Sequence, residues 1–225
     1  MTINLKRDAA KAALIAVTPG MQLGLGTGST VAEFLTLLAE ADLGVSGLPT
    51  SEATAARCHE LGIPLLNPAE VLHLDLTVDG ADELDHDLRA TKGGGGALLR
   101  EKVVASLSER MIVIATLDKL VDRLGNSFAL PVEVVPFAVT VVAHRLTQLG
   151  FSVTVRSDSV GTPVLTDNHN MLLDARFPGG ITDPAGVDLE ISMIPGVVTS
   201  GLFIDLVTEA YLAGEDGSIT HLLAR

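Results

Sequence analysis

Apolar positions along the chain follow two alternating periods. From residue 3 to 17, Leu5, Ala9, Ala12, Ala13 and Ala16 fall near one face of a 3.6-residue repeat, so a helix is expected there, ended by Thr18-Pro19-Gly20. MQLGL then reads as a short strand, a glycine turn follows, and VAEFLTLLAE returns to the helical period. Residues 43–51 repeat strand and turn before the helix EATAARCHEL. Runs at 63–66 and 74–78 read as strands with a helical turn at 68–72 between them. A helix over 97–109, a strand over 111–115 and a turn over 117–124 complete this half. Alternation at this spacing predicts an α/β fold with a doubly wound, mostly parallel sheet. Ligands of such sheets bind beyond the carboxyl ends of the strands, which would bring the turns at 26–30, 49–52 and 79–83 to one edge.

The pattern shifts at Gly125-Asn126. Strand 131–135, helix 137–149, strands 151–156 and 171–177, helix 184–194 and strand 197–203 spell βαββαβ, the ferredoxin-like order. Residues 218–223 read as a last strand returning to the first domain. The expected division is therefore 1–126 with 204–225, and a small domain over 127–203.

Composition narrows the class. Hydrophobic residues make up 47% but aromatics only 3%, with no Trp, so the core must be Ala, Val, Leu and Ile, a palette suited to buried parallel strands. The single cysteine, Cys58, rules out an internal disulfide and fits a reducing compartment. No apolar run of signal-peptide type or of membrane-spanning length is present, so cytoplasmic residence is expected. A net charge of −13 argues against nucleic acid and anionic membrane as partners, because phosphate contacts need clustered cations. An anionic ligand must be gathered by a local positive site, and three of the five lysines, Lys92, Lys102 and Lys119, lie within 28 residues of one another.

Candidate chemistry sits in two places. In GLGTGST, Gly24, Gly26 and Gly28 permit close backbone approach, and Ser29 or Thr30 can cap the following helix. Ser29 stands where the dinucleotide fingerprint needs glycine, and the lysine of a P-loop is missing, so what remains is a generic anion cradle or an ordinary strand–turn–helix connection. The second place is 74–102, LDLTVDGADELDHDLRATKGGGGALLREK. Asp79 and Asp82 can share one polar ligand or simply make Asx turns. Lys92 and Gly93–Gly96 can form an oxyanion nest of backbone N–H groups or a flexible loop. Glu101, early in a helix and between two cations, is either an ionised base or part of a solvated triplet. Together these groups suit proton abstraction beside a carbonyl through an enediolate, with no metal required, and the six histidines form no ligand-spaced pair.

GLGTGST, VDGADE, KGGGGALLREK and the later PVEV and IPGVVTSGLF, in this order, resemble ribose-5-phosphate isomerase of the A type over essentially the whole chain. The resemblance implies a Rossmann-like domain with a ferredoxin-like domain inserted before the last strands, and an aldose–ketose isomerase of the pentose phosphate pathway acting on ribose 5-phosphate and ribulose 5-phosphate without cofactor or metal. It implies that Glu101 is the base and that Lys92 with Gly93, Gly94 and Gly95 stabilises the oxyanion. Asp79, Gly80, Ala81 and Asp82 would handle the sugar hydroxyls and ring opening. Thr27, Gly28, Ser29 and Thr30 would bind substrate together with Lys119, and Lys6 aligns with a lysine that can reach the phosphate. A homodimer or homotetramer is implied as well. Two departures stand out: Glu52 where a second serine is usual, and Thr116 and Asp118 where the family has Asp and Ser before the lysine. The rivals are a non-catalytic sugar-phosphate sensor of the same fold, which would dispense with Glu101, and an acyl-CoA transferase relative, which would need a longer chain.

Overall fold

Helix α1 (Leu5–Leu14) starts where the Asn4 side chain accepts the Arg7 N–H, in a computed structural model that describes residues 4–224. Ile3, the first residue of the expected helix, lies outside the described residues. The chain continues through β1 (Gln22–Leu25), α2 (Ser29–Ala41), β2 (Ser46–Pro49), α3 (Glu52–Leu61) and β3 (Leu76–Asp79). Two-residue strands β4 (Glu83–Leu84) and β5 (Ala90–Thr91) precede α4 (Leu98–Ser106) and β6 (Met111–Thr116). Then come β7 (Leu130–Val134), α5 (Val139–Gln148), β8 (Ser152–Val155), β9 (Met171–Arg176), α6 (Pro184–Ser192), β10 (Val197–Ser200) and β11 (Leu202–Phe203). Strands β12 (Glu209–Ala213) and β13 (Ile219–Leu223) end the chain.

These elements pack as two units. The first holds the residues up to Ala81, Arg100–Leu120 and those from Asp205 onward. Its six-stranded sheet runs β13-β12-β6-β3-β1-β2, parallel except for β13. Leu23, Leu25, Leu76, Val78, Ile112 and Ile114 from the strands meet Ala9, Ala13, Phe34 and Leu38 from the helices in one core. That core is almost wholly aliphatic, as the composition requires. Because β1 pairs Leu25 with both Pro49 and Val78, and β3 pairs Asp79 with Val113, the turns after β1, β2, β3 and β6 all leave one sheet edge.

The second unit holds Asp82–Leu99 and Val121–Ile204. Its antiparallel sheet has the order β10-β7-β9-β8, with α5 and α6 in the connections, and Val132, Val134, Val142, Leu146, Leu173 and Ile191 form its core. A three-stranded sheet, β11-β5-β4, belongs to the same unit.

Several local expectations are corrected. Residues 63–66 form only an isolated bridge from Leu65 to Gly47, since Pro64 has no N–H to extend a ladder. Residues 68–72 are turn and irregular chain, not helix. The strand expected over 197–203 divides at Gly201, whose backbone passes so close to the Lys92 carbonyl that a Cβ there would lie 2.3 Å from it. Its second piece pairs with β5, Leu202 against Thr91 and Phe203 against Ala90. This pairing ties 82–99 to the second unit, so the observed division departs from a boundary placed at 126 alone. Strand β12 was not expected: Glu-Ala-Tyr-Leu-Ala carries no β-branched residue.

Candidate active site

In the first unit, Asp79 ends β3 fully buried. One of its oxygens, Oδ1, accepts the Thr27 N–H at 3.1 Å and the Gly80 N–H at 2.7 Å. The neighbouring turn must be glycine for this to happen, because a Cβ on Gly26 would stand 2.0 Å from that oxygen. Gly28 caps α2 with φ 115°, a conformation that L side chains rarely adopt. The result is a carboxylate fixed by backbone donors at the carboxyl edge, beside a helix start.

Hydroxyls surround that start. Thr27 Oγ1 lies 2.8 Å from Thr50 Oγ1, donates to Ser51 Oγ at 2.9 Å and lies 3.3 Å from Thr54 Oγ1. Thr54 in turn donates to the Gly26 carbonyl at 2.8 Å, locking the turn after β1 to the first turn of α3. Ser29 and Gly28 are exposed, Thr30 is half-buried, and Lys6 Nζ donates to Ser29 Oγ at 2.7 Å. Thr50 lies in the turn at 49–52 that the sequence assigns to this edge, whereas Thr54, the other buried threonine of the network, carried no motif signal.

Glu101 occupies the first turn of α4, only 4% exposed. Its neighbour Arg100 reaches Glu52 Oε1 at 2.8 Å, so the departure at residue 52 is answered by an ion pair rather than left as a lone charge. The second departure is also compensated locally. Thr116 Oγ1 donates to Asp118, and Lys119 Nζ lies 3.5 Å from the same carboxylate. The Thr116 hydrogen bond, opposed by burial and aided by Lys119, holds the Asp118 carboxyl below its ordinary value. Lys119 itself is half-buried in the 3₁₀ turn Leu117–Lys119.

In the second unit, Asp82 Oδ2 accepts the Gly94 N–H at 2.8 Å. A Cβ on Gly94 would stand 2.5 Å from Asp82 Oδ1, and Gly93 and Gly96 have φ of 102° and 80°. The glycines are therefore dictated by geometry, and the reading of this stretch as a loose loop does not fit. Gly94 and Gly95 face solvent while Lys92 is buried, its backbone N–H on the Gly201 carbonyl and its Nζ 5.4 Å from the centroid of the Phe203 ring, within cation–π range. Arg156 also touches this loop, donating to the Gly93 carbonyl at 2.7 Å and the Gly94 carbonyl at 3.1 Å. No motif pointed to it, because the contact spans 63 positions.

The mostly parallel six-stranded sheet with its smaller antiparallel sheets defines an α/β protein. The ribose 5-phosphate isomerase A (phosphoriboisomerase A) family model matches residues 46–217. Ribose-5-phosphate isomerase A of Parvibaculum lavamentivorans is 49% identical over 222 residues, covering 95% of each chain. Ribose 5-phosphate isomerase A of Methanocaldococcus jannaschii superposes with a TM-score of 0.91 at 38% identity, over 97% of this chain and 98% of that one. A D-ribose-5-phosphate isomerase in complex with phospho-erythronic acid gives 0.93 at 35% identity, over 98% and 100%. The chain belongs to the ribose 5-phosphate isomerase A family.

Proposed function

We infer that this chain interconverts D-ribose 5-phosphate and D-ribulose 5-phosphate by proton transfer through an enediolate. Family membership gives the reaction, and one observation carries the assignment of roles: Asp79, Lys92 and Glu101 are all buried, although such side chains are rarely buried without a task. Glu101 moves the proton between C2 and C1 of the open-chain sugar. Lys92 and the N–H groups of Gly93, Gly94 and Gly95 stabilise the oxyanion that forms as the proton leaves. Asp79 and Asp82, with Gly80 and Ala81, handle the sugar hydroxyls and ring opening. Thr27, Gly28, Ser29 and Thr30 hold substrate with Lys119, and Lys6 reaches the phosphate, a reading supported by its hydrogen bond to Ser29.

The six-stranded sheet is read as Rossmann-like, and the βαββαβ unit as ferredoxin-like. Assembly into a homodimer or homotetramer is proposed as well. It is supported by Phe137, Val141, Leu189 and Met193, large apolar side chains of the second unit that are left exposed. Among the described residues no helix is long and apolar enough to cross a membrane. Cytoplasmic residence is proposed from Cys58, whose buried, unpaired thiol is pushed up to about 11 by burial and so is inert.

The test is ketose formation from ribose 5-phosphate by purified, chelator-treated protein. The wild type is expected to turn over, and Glu101→Gln to lose about 10²–10⁴-fold in kcat, the usual cost of removing a general base. Absence of wild-type turnover sinks the activity. Full turnover by Glu101→Gln removes Glu101 from the role of base.

A further inference from the structure

The Arg156 guanidinium divides its donors between two partners. Nε and Nη2 grip the two oxygens of Asp174 on β9, at 3.0 and 2.5 Å, in a bidentate pair. Nη1 crosses to the glycine loop and donates to the carbonyls of Gly93, at 2.7 Å, and Gly94, at 3.1 Å. The backbone of Arg156 is itself fixed, its N–H on the Leu172 carbonyl and its carbonyl accepting the Val164 N–H. Planarity of the trans peptide then does the rest. The N–H that follows each carbonyl points the opposite way, so drawing the Gly93 and Gly94 carbonyls toward Arg156 turns the Gly94 and Gly95 N–H groups outward. The Gly94 N–H lands on Asp82 Oδ2. Gly95 is exposed.

We propose that Arg156 is a positioning residue for catalysis: clamped by Asp174, it sets the direction of the glycine N–H groups and of the Asp82 carboxylate that one of them holds. The proposal rests on the reading of Lys92 and the glycines as the oxyanion-stabilising part. Four glycines in a row have ordering entropy that no side chain of their own restricts. Beside the Gly96 N–H on the Gly93 carbonyl and the Gly94 N–H on Asp82, the Arg156 guanidinium is the side-chain donor that holds the Gly93 and Gly94 carbonyls in one direction. Lysine cannot replace arginine in this place. Its point charge can neutralise Asp174 but cannot span a bidentate carboxylate and two carbonyls in one plane.

The experiment compares wild type, Arg156→Lys, Asp174→Asn and Lys92→Ala by steady-state kinetics. It adds inhibition by phospho-erythronic acid, whose carboxylate stands in for the enediolate oxygens, and by inorganic phosphate, which lacks them. Arg156→Lys is expected to lose about 10–100-fold in kcat, the scale of a misplaced catalytic group, with KM changed by less than about threefold. Phospho-erythronic acid should weaken by a similar factor while inorganic phosphate inhibits as before. Asp174→Asn, which keeps the arginine and loosens its clamp, should show the same pattern more weakly, and it serves if Arg156→Lys does not fold. A folded variant with unchanged kcat, or one that loses both inhibitors equally, overturns the proposal. Full turnover by Lys92→Ala instead overturns the oxyanion reading beneath it, and the two failures are thereby told apart.

Discussion

At the scale of single residues, two of the candidate carboxylates, one in each unit, are placed by atoms that are missing. Gly26 leaves the space into which Asp79 turns its carboxylate, and Gly94 does the same for Asp82. Gly26→Ala would put a methyl 2.0 Å from Asp79 Oδ1 and 2.1 Å from its carboxyl carbon, so the carboxylate must move by an ångström or more. We expect the variant to fold with kcat reduced by about 10²-fold, because displacement of a catalytic group on that scale costs about that much. Kinetics beside a thermal melt would check it, and wild-type kcat in a folded Gly26→Ala would remove Asp79 from the mechanism. These glycines were legible in the sequence as a motif, but their reason was not. Each accommodates a side chain that lies elsewhere in the chain, 53 positions on for Gly26 and 12 back for Gly94. Arg156 lay beyond reach for the same cause: nothing around it in the sequence marks a strand-end arginine as the partner of a distant loop.

At the scale of elements, the first turn of α3 shows how a cap can serve two purposes. Ser51 Oγ accepts the Thr54 N–H at 3.0 Å, the ordinary cap bond, and also receives the Thr27 hydroxyl from the turn after β1. Ser51→Ala removes both and leaves buried hydroxyls short of a partner, so stability should fall by about 1–2 kcal/mol, a drop of several degrees in Tm for a chain of this size. Calorimetry would measure it, and an unchanged Tm would show that the network contributes nothing to folding. Elements of this kind, strand then glycine or hydroxyl turn then helix, were the most legible part of the fold, because period, breaker and cap agree. The short strands β4, β5 and β11 were not. Two residues carry no periodicity, and what makes them strands is their pairing: β5 with the neighbouring β4, and β5 with β11 across more than a hundred positions.

At the scale of the whole molecule, the chain must leave the first unit, build the second and return, and the return is fastened at Glu209. This residue opens β12 and is buried to 9% exposure. Arg110, 99 positions earlier and just before β6, grips its Oε1 through Nε at 3.0 Å and through Nη2. His221 on β13 meets Oε2 at 3.2 Å, and its ring stacks on Tyr211 with centroids 4.4 Å apart. Burial alone would raise the Glu209 carboxyl, but the hydrogen bonds from Arg110 and His221 outweigh it and hold the group below its ordinary value of 4.5. A carboxyl depressed in the folded state contributes stability that is present above its unfolded value and is lost as pH falls through the folded one. The first unit should therefore lose thermal stability as pH drops below about 4.5, because protonation releases Arg110 and His221. Glu209→Gln should be less stable than wild type at neutral pH, where it leaves Arg110 without its counter-charge, and the two proteins should converge at acid pH. Melting curves taken between about pH 3 and 7 would show this convergence. Parallel curves over the whole range would mean that the fastening is geometric rather than ionic, and that the returning strands are held by their ladders alone.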